Sequence, residues 1–273
     1  MLCFAGNSLL CRLALRYSLI DAASFTSIRL ISGAVVLTFI GAFRGHRPLQ
    51  SGSWTSALAL FWYAAAFSLA YISLPAGTGA LLLFGAVQST MICWGLRRGE
   101  AFGWRQVFGL LLALAGLVAL VFPGLTSPPL MGSMLMITAG VAWGVYSLRG
   151  KGTADPASAT AGNFIRAIPF TIALSVGFLS RAHLDLVGII YAIVSGAITS
   201  GIGYVLWYAV LPNLAATSAG TVQLCVPVLA AIGGIAVLGE QPTLRFVLAS
   251  VALLTGIAIV IWNRNAAKTR ARA

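Results

Sequence analysis

Acidic residues are nearly missing from this chain of 273 residues: Asp and Glu together number five, and all charged residues make up 8%. A soluble domain carries roughly a quarter charged residues, so the composition excludes a water-exposed globular surface. Histidine occurs only twice, at His46 and His183, each alone between apolar runs, which leaves a zinc site without ligands. The four cysteines, Cys3, Cys11, Cys93 and Cys225, show neither CxxC spacing nor a pairing pattern. They read as small buried hydrophobes, not as a disulfide frame or metal site. Catalytic signatures are also missing: there is no GxSxG elbow, no GxxxxGK[ST] loop, no HExxH and no complete GxGxxG. An intramembrane hydrolase would want a Ser facing a His, and both histidines fall in loops. The expectation is a protein that is not an enzyme and uses no cofactor.

What the chain has in excess is apolar length. Hydrophobic residues make up 59% of it and the mean hydropathy is +0.96, which places it in a bilayer. Crossing a bilayer takes about 20 apolar residues, and runs of that kind fall at 2–19, 24–43, 54–73, 77–97, 104–122, 131–148, 159–179, 187–210, 215–238 and 244–262. They are continuously apolar, whereas the strands of a barrel would alternate over about ten residues. The fold class expected is an all-α membrane protein with ten transmembrane helices. The apolar N-terminus reads as the first of them and not as a cleavable signal.

The net charge of +12 follows from scarce acids more than from abundant bases. Lys and Arg stand in short clusters between apolar runs, where they fix topology and meet anionic headgroups. Nucleic-acid binding would need them as a dense face on a polar domain. With both termini inside, eleven basic residues (Arg44, Arg47, Arg97, Arg98, Arg105, Arg149, Lys151, Arg264, Lys268, Arg270 and Arg272) lie in cytoplasmic segments. Five (Arg12, Arg16, Arg29, Arg181 and Arg245) lie towards the other side, and Arg166 stands inside helix seven. The count favours cytoplasmic termini in a bacterial inner membrane. Arg12 is the anomaly: a charge near the centre of a helix costs a few kcal/mol, so the first helix is expected to be short or to begin upstream of residue 1.

Sliding the chain by 140 residues aligns Gly99-Glu100 with Gly239-Glu240, Arg105 with Arg245, Val107 with Val247, Leu114 with Leu254 and Gly116 with Gly256. Six identities in the eighteen positions 99–116 include two of the five acids. Upstream, Leu74 and Ala76 match Leu214 and Ala216 at the same shift, and Arg29 meets Arg166 at 137. Each repeat holds five helices, and an odd number inserts the second copy upside down. Residues 1–122 form the first repeat, 131–262 the inverted second, and 263–273 a basic cytoplasmic tail. Inverted repeats imply a binding cavity where the two meet.

On these features the chain resembles the EamA-like branch of the drug/metabolite transporter superfamily. The likeness rests on the Gly-Glu turn between the fourth and fifth helices of each half and on the Arg-bearing second helices (Phe25 to Arg29, Phe164 to Arg166). The small-residue openings Ala76–Ala80 and Ala215–Gly220 add to it. The resemblance implies ten helices and alternating access around a central cavity that takes amino acids, other metabolites, nucleotide sugars or drugs. The expected function is therefore export of a small, amino-acid-like metabolite; a passive channel is the alternative. The expected partners are a small-molecule substrate and the lipid bilayer, with a homodimer as the candidate assembly and no nucleic acid.

Polar groups deep in apolar runs carry the most information about a site, since hydrocarbon offers them no partner. Gln88, Trp143, Arg166, Tyr204 and Gln223 are the expected substrate-binding residues, with interhelical hydrogen bonding as the bland alternative for the two glutamines. Arg29 reads first as a side chain that snorkels to the interface. Arg166 is deeper and balanced between that role and holding a carboxylate or phosphate. Phe61, Trp62, Tyr63, Tyr146, Trp207 and Tyr208 extend the aromatic set, and Trp143 and Tyr204 are flanked by Gly140, Gly144, Gly201 and Gly203. Asn7 and Asn163 lie nearer helix starts. Pro227 predicts a kink beside Gln223. Glu100 and Glu240 read as neutralising helix N-termini or pairing with Arg105 and Arg245, and Asp21 and Asp155 as turn and cap residues.

Overall fold

Backbone polar groups inside a bilayer are satisfied only by closed barrels or by helices, and continuously apolar runs choose helices. The computed structural model describes residues 1–43, 51–97, 103–124, 127–150, 153, 155–210, 223 and 225–270. Among these residues there is no strand, and ten helical rods follow one another. They are α1 (Leu2–Tyr17), α2 (Ala22–Phe43), α3 (Trp54–Tyr71), α4 (Ala76–Arg97), α5 (Trp104–Val121), α6 (Leu130–Gly150) and α7 (Pro156–Gly177), then α8 (Leu186–Val210), α9 (Cys225–Leu238) and α10 (Leu244–Arg270). Six of them, α2 and α4–α8, are long and apolar enough to cross a membrane. Their outer faces carry exposed Val35 and Phe39 on α2, Leu111 and Val118 on α5, and Leu248 and Val251 on α10. An apolar shell of that extent would aggregate in water.

The rod ends follow local chemistry. Ser53 caps α3 by accepting from Ser56 N, Asp155 caps α7 ahead of Pro156, and Asp185 caps α8 through Gly188 N. Gln106 reaches back from α5 to accept from Gly103 N at 2.8 Å. Gly239 follows α9 at φ +63°, a left-handed conformation that favours glycine. The expected runs match within three residues wherever both ends are described, except that α10 continues past 262 to Arg270 through the expected tail. The start of helix nine, Glu100 and His46 lie outside the described residues. So do residues 211–222 and 224, and Pro227 is the third residue of α9 as described.

The packing sets α2 against α7, α4 against α9, and α5 against α10, while α6 lies on α3 and α4 and α1 lies on α8 and α9. Helices α5 and α10 form an outer pair joined to the rest through α4. At their crossing a Cβ on Gly109 or on Gly256 would strike the carbonyl oxygen of the other, so the backbones touch. In the middle of α8, Ser195–Ile202 widens into a π-helix, a geometry common at functional sites. Gly196 there presses onto the backbone carbonyl of Arg29 in α2.

Three expectations change. The charge of Arg12, expected to be costly in the middle of its helix, is met inside the bundle: it is 5% exposed and its Nε donates to Glu240 Oε1 at 3.3 Å, the one ion pair among the described residues. Its Nη1 donates to the carbonyls of Tyr71 and Ile72. Arg245 pairs with the Phe122 carbonyl and not with Glu240. Of the cysteines only Cys11 is fully buried, and Cys93 and Cys225 lie on exposed faces.

Asp21, in the turn before α2, is a cap as expected: Oδ1 accepts from Ala23 N and Ser24 N, and Oδ2 from His183 N. Burial pushes its carboxyl upward, but hydrogen bonds from Ser24, His183 and Ala23 outweigh that and hold it below the ordinary aspartate value of 3.8. A depressed carboxyl stabilises the fold above its unfolded pKa and loses that contribution as pH falls through the folded value. Asp21→Asn is therefore expected to lower the melting temperature at pH 7, with the difference from wild type shrinking in strong acid.

Candidate functional site

The middle of the bundle is built around one charge. Arg29 of α2 is 1% exposed, and its guanidinium is ringed by neutral groups. Nε donates to Ser200 Oγ of the π stretch at 3.1 Å, and Nη2 donates to the hydroxyls of Tyr63 at 3.1 Å and Tyr204 at 3.3 Å. The rings of Tyr63 and Phe67 stand 5.2 and 5.0 Å from the guanidinium carbon, close enough for cation–π attraction. Gly196 makes this possible: without a side chain there, α8 approaches α2 until Ser200, one turn on, reaches Arg29.

An aromatic box closes over this layer. Trp143 of α6 packs on Tyr63 at 5.0 Å and on Tyr204 at 4.7 Å, and Phe4 of α1 meets Trp143, Tyr204 and Trp207 edge-on at 5.6–5.9 Å. Gly140 and Gly144 let α6 approach the Leu83 carbonyl and Thr90 of α4, and so position Trp143. Asn7 of α1 extends the polar side. Its amide donates to Tyr63 OH at 3.2 Å, and its Oδ1 accepts from Ser195 and Thr199 in the π stretch. A continuous hydrogen-bonded line thus runs from α8 through α1 and α3 to Arg29.

Two vestibules flank the box from opposite ends of the bundle. One, a cavity of about 250 Å³, is lined by Ser73, Pro75, Thr78, Glu240, Thr243 and Phe246 among others. Below it lies the Arg12–Glu240 pair, and Glu240 Oε2 also accepts from Ala76 N at the start of α4 at 2.8 Å. That carboxylate meets a helix N-terminus, as expected of it. The other vestibule, about 210 Å³, is lined by Ser53, Ser56, Tyr146, Arg149, Asn163 and Tyr208 among others. Arg149 ties α6 there to Ser56 at 3.0 Å and Thr55 at 2.6 Å of α3. Trp143 and Tyr204, 2% and 1% exposed, lie buried between the two.

Of the five expected residues, Trp143 and Tyr204 come together in the box. Gln88 in α4 and Gln223 ahead of α9 are buried as well. Arg166 does not join it: half-buried, it donates from Nη1 to the carbonyls of Ser51 and Gly162 and clamps α7 to the segment before α3. Arg166→Ala is accordingly expected to lower thermal stability, at about 1–3 kcal/mol for the carbonyls it leaves. The residues underweighted in the sequence are Arg29, Asn7 and Ser200. One signal in the sequence points to Arg29: it corresponds, at a shift of 137, to Arg166, itself a candidate there.

Residues 130–262 match the EamA-like transporter family. A Pseudomonas aeruginosa protein described as uncharacterized is 52% identical over 266 residues, which cover 97% of this chain and 92% of that one. An uncharacterized transporter of Archaeoglobus fulgidus is 26% identical over 273 residues, covering 94% and 93%, and a second from the same organism is 26% identical over 202 residues, covering 72% of each. A solved structure titled only as the crystal structure of a protein shares the fold, with a TM-score of 0.66 and 17% identity over 95% of this chain and 96% of that one. With its apolar helices and its buried polar centre, this chain is a multi-pass membrane protein and belongs to the EamA-like transporter family.

Proposed function

We propose that the protein is a secondary transporter that exports a small, amino-acid-like metabolite across the bacterial inner membrane by alternating access. Its two five-helix halves are inverted repeats, and the Arg29 box is its central chamber. The observation that carries the reading is the symmetry of the packing. Advancing every helix by five converts α1–α8, α1–α9 and α2–α8 into α6–α3, α6–α4 and α7–α3, and each of these contacts is present. The pairs α2–α7, α4–α9 and α5–α10 map onto themselves. A bundle of that symmetry can tilt one half against the other about a fixed centre, which exposes the two vestibules in turn. The buried centre, where Arg29, Trp143 and Tyr204 are 1–2% exposed, supports a carrier over a passive channel, whose pore would have to be continuous.

Counterflow tests the mechanism. Proteoliposomes loaded with an equimolar mixture of the twenty standard amino acids are expected to take up the labelled mixture saturably, and faster than empty ones. Flux that rises linearly with concentration and ignores the trans side would point to a channel. Topology has its own test on a cysteine-free background. Ala101→Cys is expected to react with an impermeant maleimide only from the cytoplasmic face and Gln241→Cys only from the opposite one, whereas reaction of both from one face would remove the inversion.

A further inference from the structure

Four of the five acids are described, and each is engaged at a helix end: Asp21 caps α2, Asp155 caps α7, Asp185 caps α8 and Glu240 holds Arg12. No described carboxylate lies beside Arg29. A buried cation without a counter-charge is costly in a bilayer, and the hydroxyls and ring faces around Arg29 supply only neutral compensation. One of its donors is also left over: Nη1 is fully buried and has no acceptor among the described residues. Nearby in the box, Trp207 Nε1 is a second buried donor without an acceptor, and its ring packs on Phe4. The box therefore holds spare donors and positive charge in the layer of Tyr63 and Tyr204, on whose rings Trp143 packs and Phe4 meets Tyr204 edge-on.

We propose that Arg29 docks a carboxylate of the transported solute, whose apolar body lies against Trp143 and Phe4. The proposal rests on the transport reading and assigns the residue that holds the carboxylate of its amino-acid-like solute. One carboxylate oxygen accepts from Nη1, the guanidinium charge is neutralised, and the desolvation that burial of Arg29 imposes is offset only in the loaded state. Ser200 and the two tyrosine hydroxyls hold the fork in place by occupying Nε and Nη2, which leaves Nη1 for the solute. Neutralisation on loading also lowers the cost of moving this layer within the membrane, since the loaded carrier reorients without a bare charge.

The test uses the full-length protein in detergent at constant ionic strength, titrated with benzoate, with benzamide and with inorganic phosphate while its melting temperature is followed. Benzoate and benzamide share a ring and differ in charge. Benzoate is expected to raise the melting temperature in a saturable way, and benzamide and phosphate are not. Arg29→Gln is expected to abolish the benzoate response. Arg29→Lys keeps the charge but loses the fork, and is expected to bind benzoate about tenfold or more weakly; it carries the test alone if the glutamine variant does not fold. Equal responses to benzoate and benzamide, a response to phosphate alone, or unchanged benzoate affinity in Arg29→Lys would overturn the proposal. Wild-type counterflow run in parallel separates the two readings. Counterflow without benzoate selectivity rejects the carboxylate and leaves the carrier, and benzoate selectivity without counterflow does the reverse.

Discussion

Gly196→Val is expected to prevent the folded protein from accumulating. A Cβ at position 196 would lie on the carbonyl oxygen of Arg29 and on Ser32 Oγ, with the Arg29 carbonyl carbon at 2.8 Å. The obstruction is backbone, so no side-chain rotation relieves it, and α2 and α8 must part. Parting them also withdraws Ser200 from Arg29 Nε and leaves a second buried donor unsatisfied. Overpacking alone costs about 1–3 kcal/mol and an orphaned bond to a charged donor about 1.5–3 kcal/mol. Together these take up a large share of the stability typical of a folded domain, about 5–15 kcal/mol. The measurement is the yield of monodisperse protein by size-exclusion chromatography; a variant that elutes and melts like the wild type would mean that α2 and α8 do not meet at this point.

The second large effect is expected at Arg12 and Glu240. The two side chains are 6% and 10% exposed, and they join α1 to the turn between α9 and α10. Glu240→Ala leaves a buried guanidinium without its partner and Ala76 N without its acceptor, a loss of about 3–5 kcal/mol for a broken buried pair. The double variant Arg12→Ala, Glu240→Ala removes the stranded charge and is expected to recover much of that loss. Thermal melts of the four proteins close the cycle, with a coupling of about 2 kcal/mol or more expected. Additive effects would mean that the two groups do not interact in the folded protein.

The helices were legible because a long apolar run has one way to satisfy its backbone in a bilayer. What the runs conceal is azimuth. Helix α2 is apolar on nearly every face, so periodicity could not say whether Arg29 points to lipid or inward, and its depth alone suggested snorkelling. Arg166 occupies the matching place in the repeat, yet the Ser51 carbonyl lies within its reach and takes it. The partner of Arg12 stands 228 residues away, and no local pattern announces a pairing at that distance. Trp143 was legible as a residue of the buried centre because an aromatic flanked by small residues at helical spacing marks a close crossing. The π stretch of α8 was not, because Ser195–Ile202 reads locally as ordinary small-residue helix.

Reciprocal motion of the two vestibules is the central claim, and one pair of distances measures it. On a cysteine-free background in nanodiscs, spin labels at Ser73 and Thr243 report one end, and labels at Thr55 and Thr153 the other. Breaking the Arg12–Glu240 pair with Glu240→Gln releases the first end. Pulsed electron–electron resonance is expected to show the Ser73–Thr243 distance lengthening while the Thr55–Thr153 distance shortens. If both distances lengthen together, or the second does not move when the first does, the protein is not an alternating-access carrier.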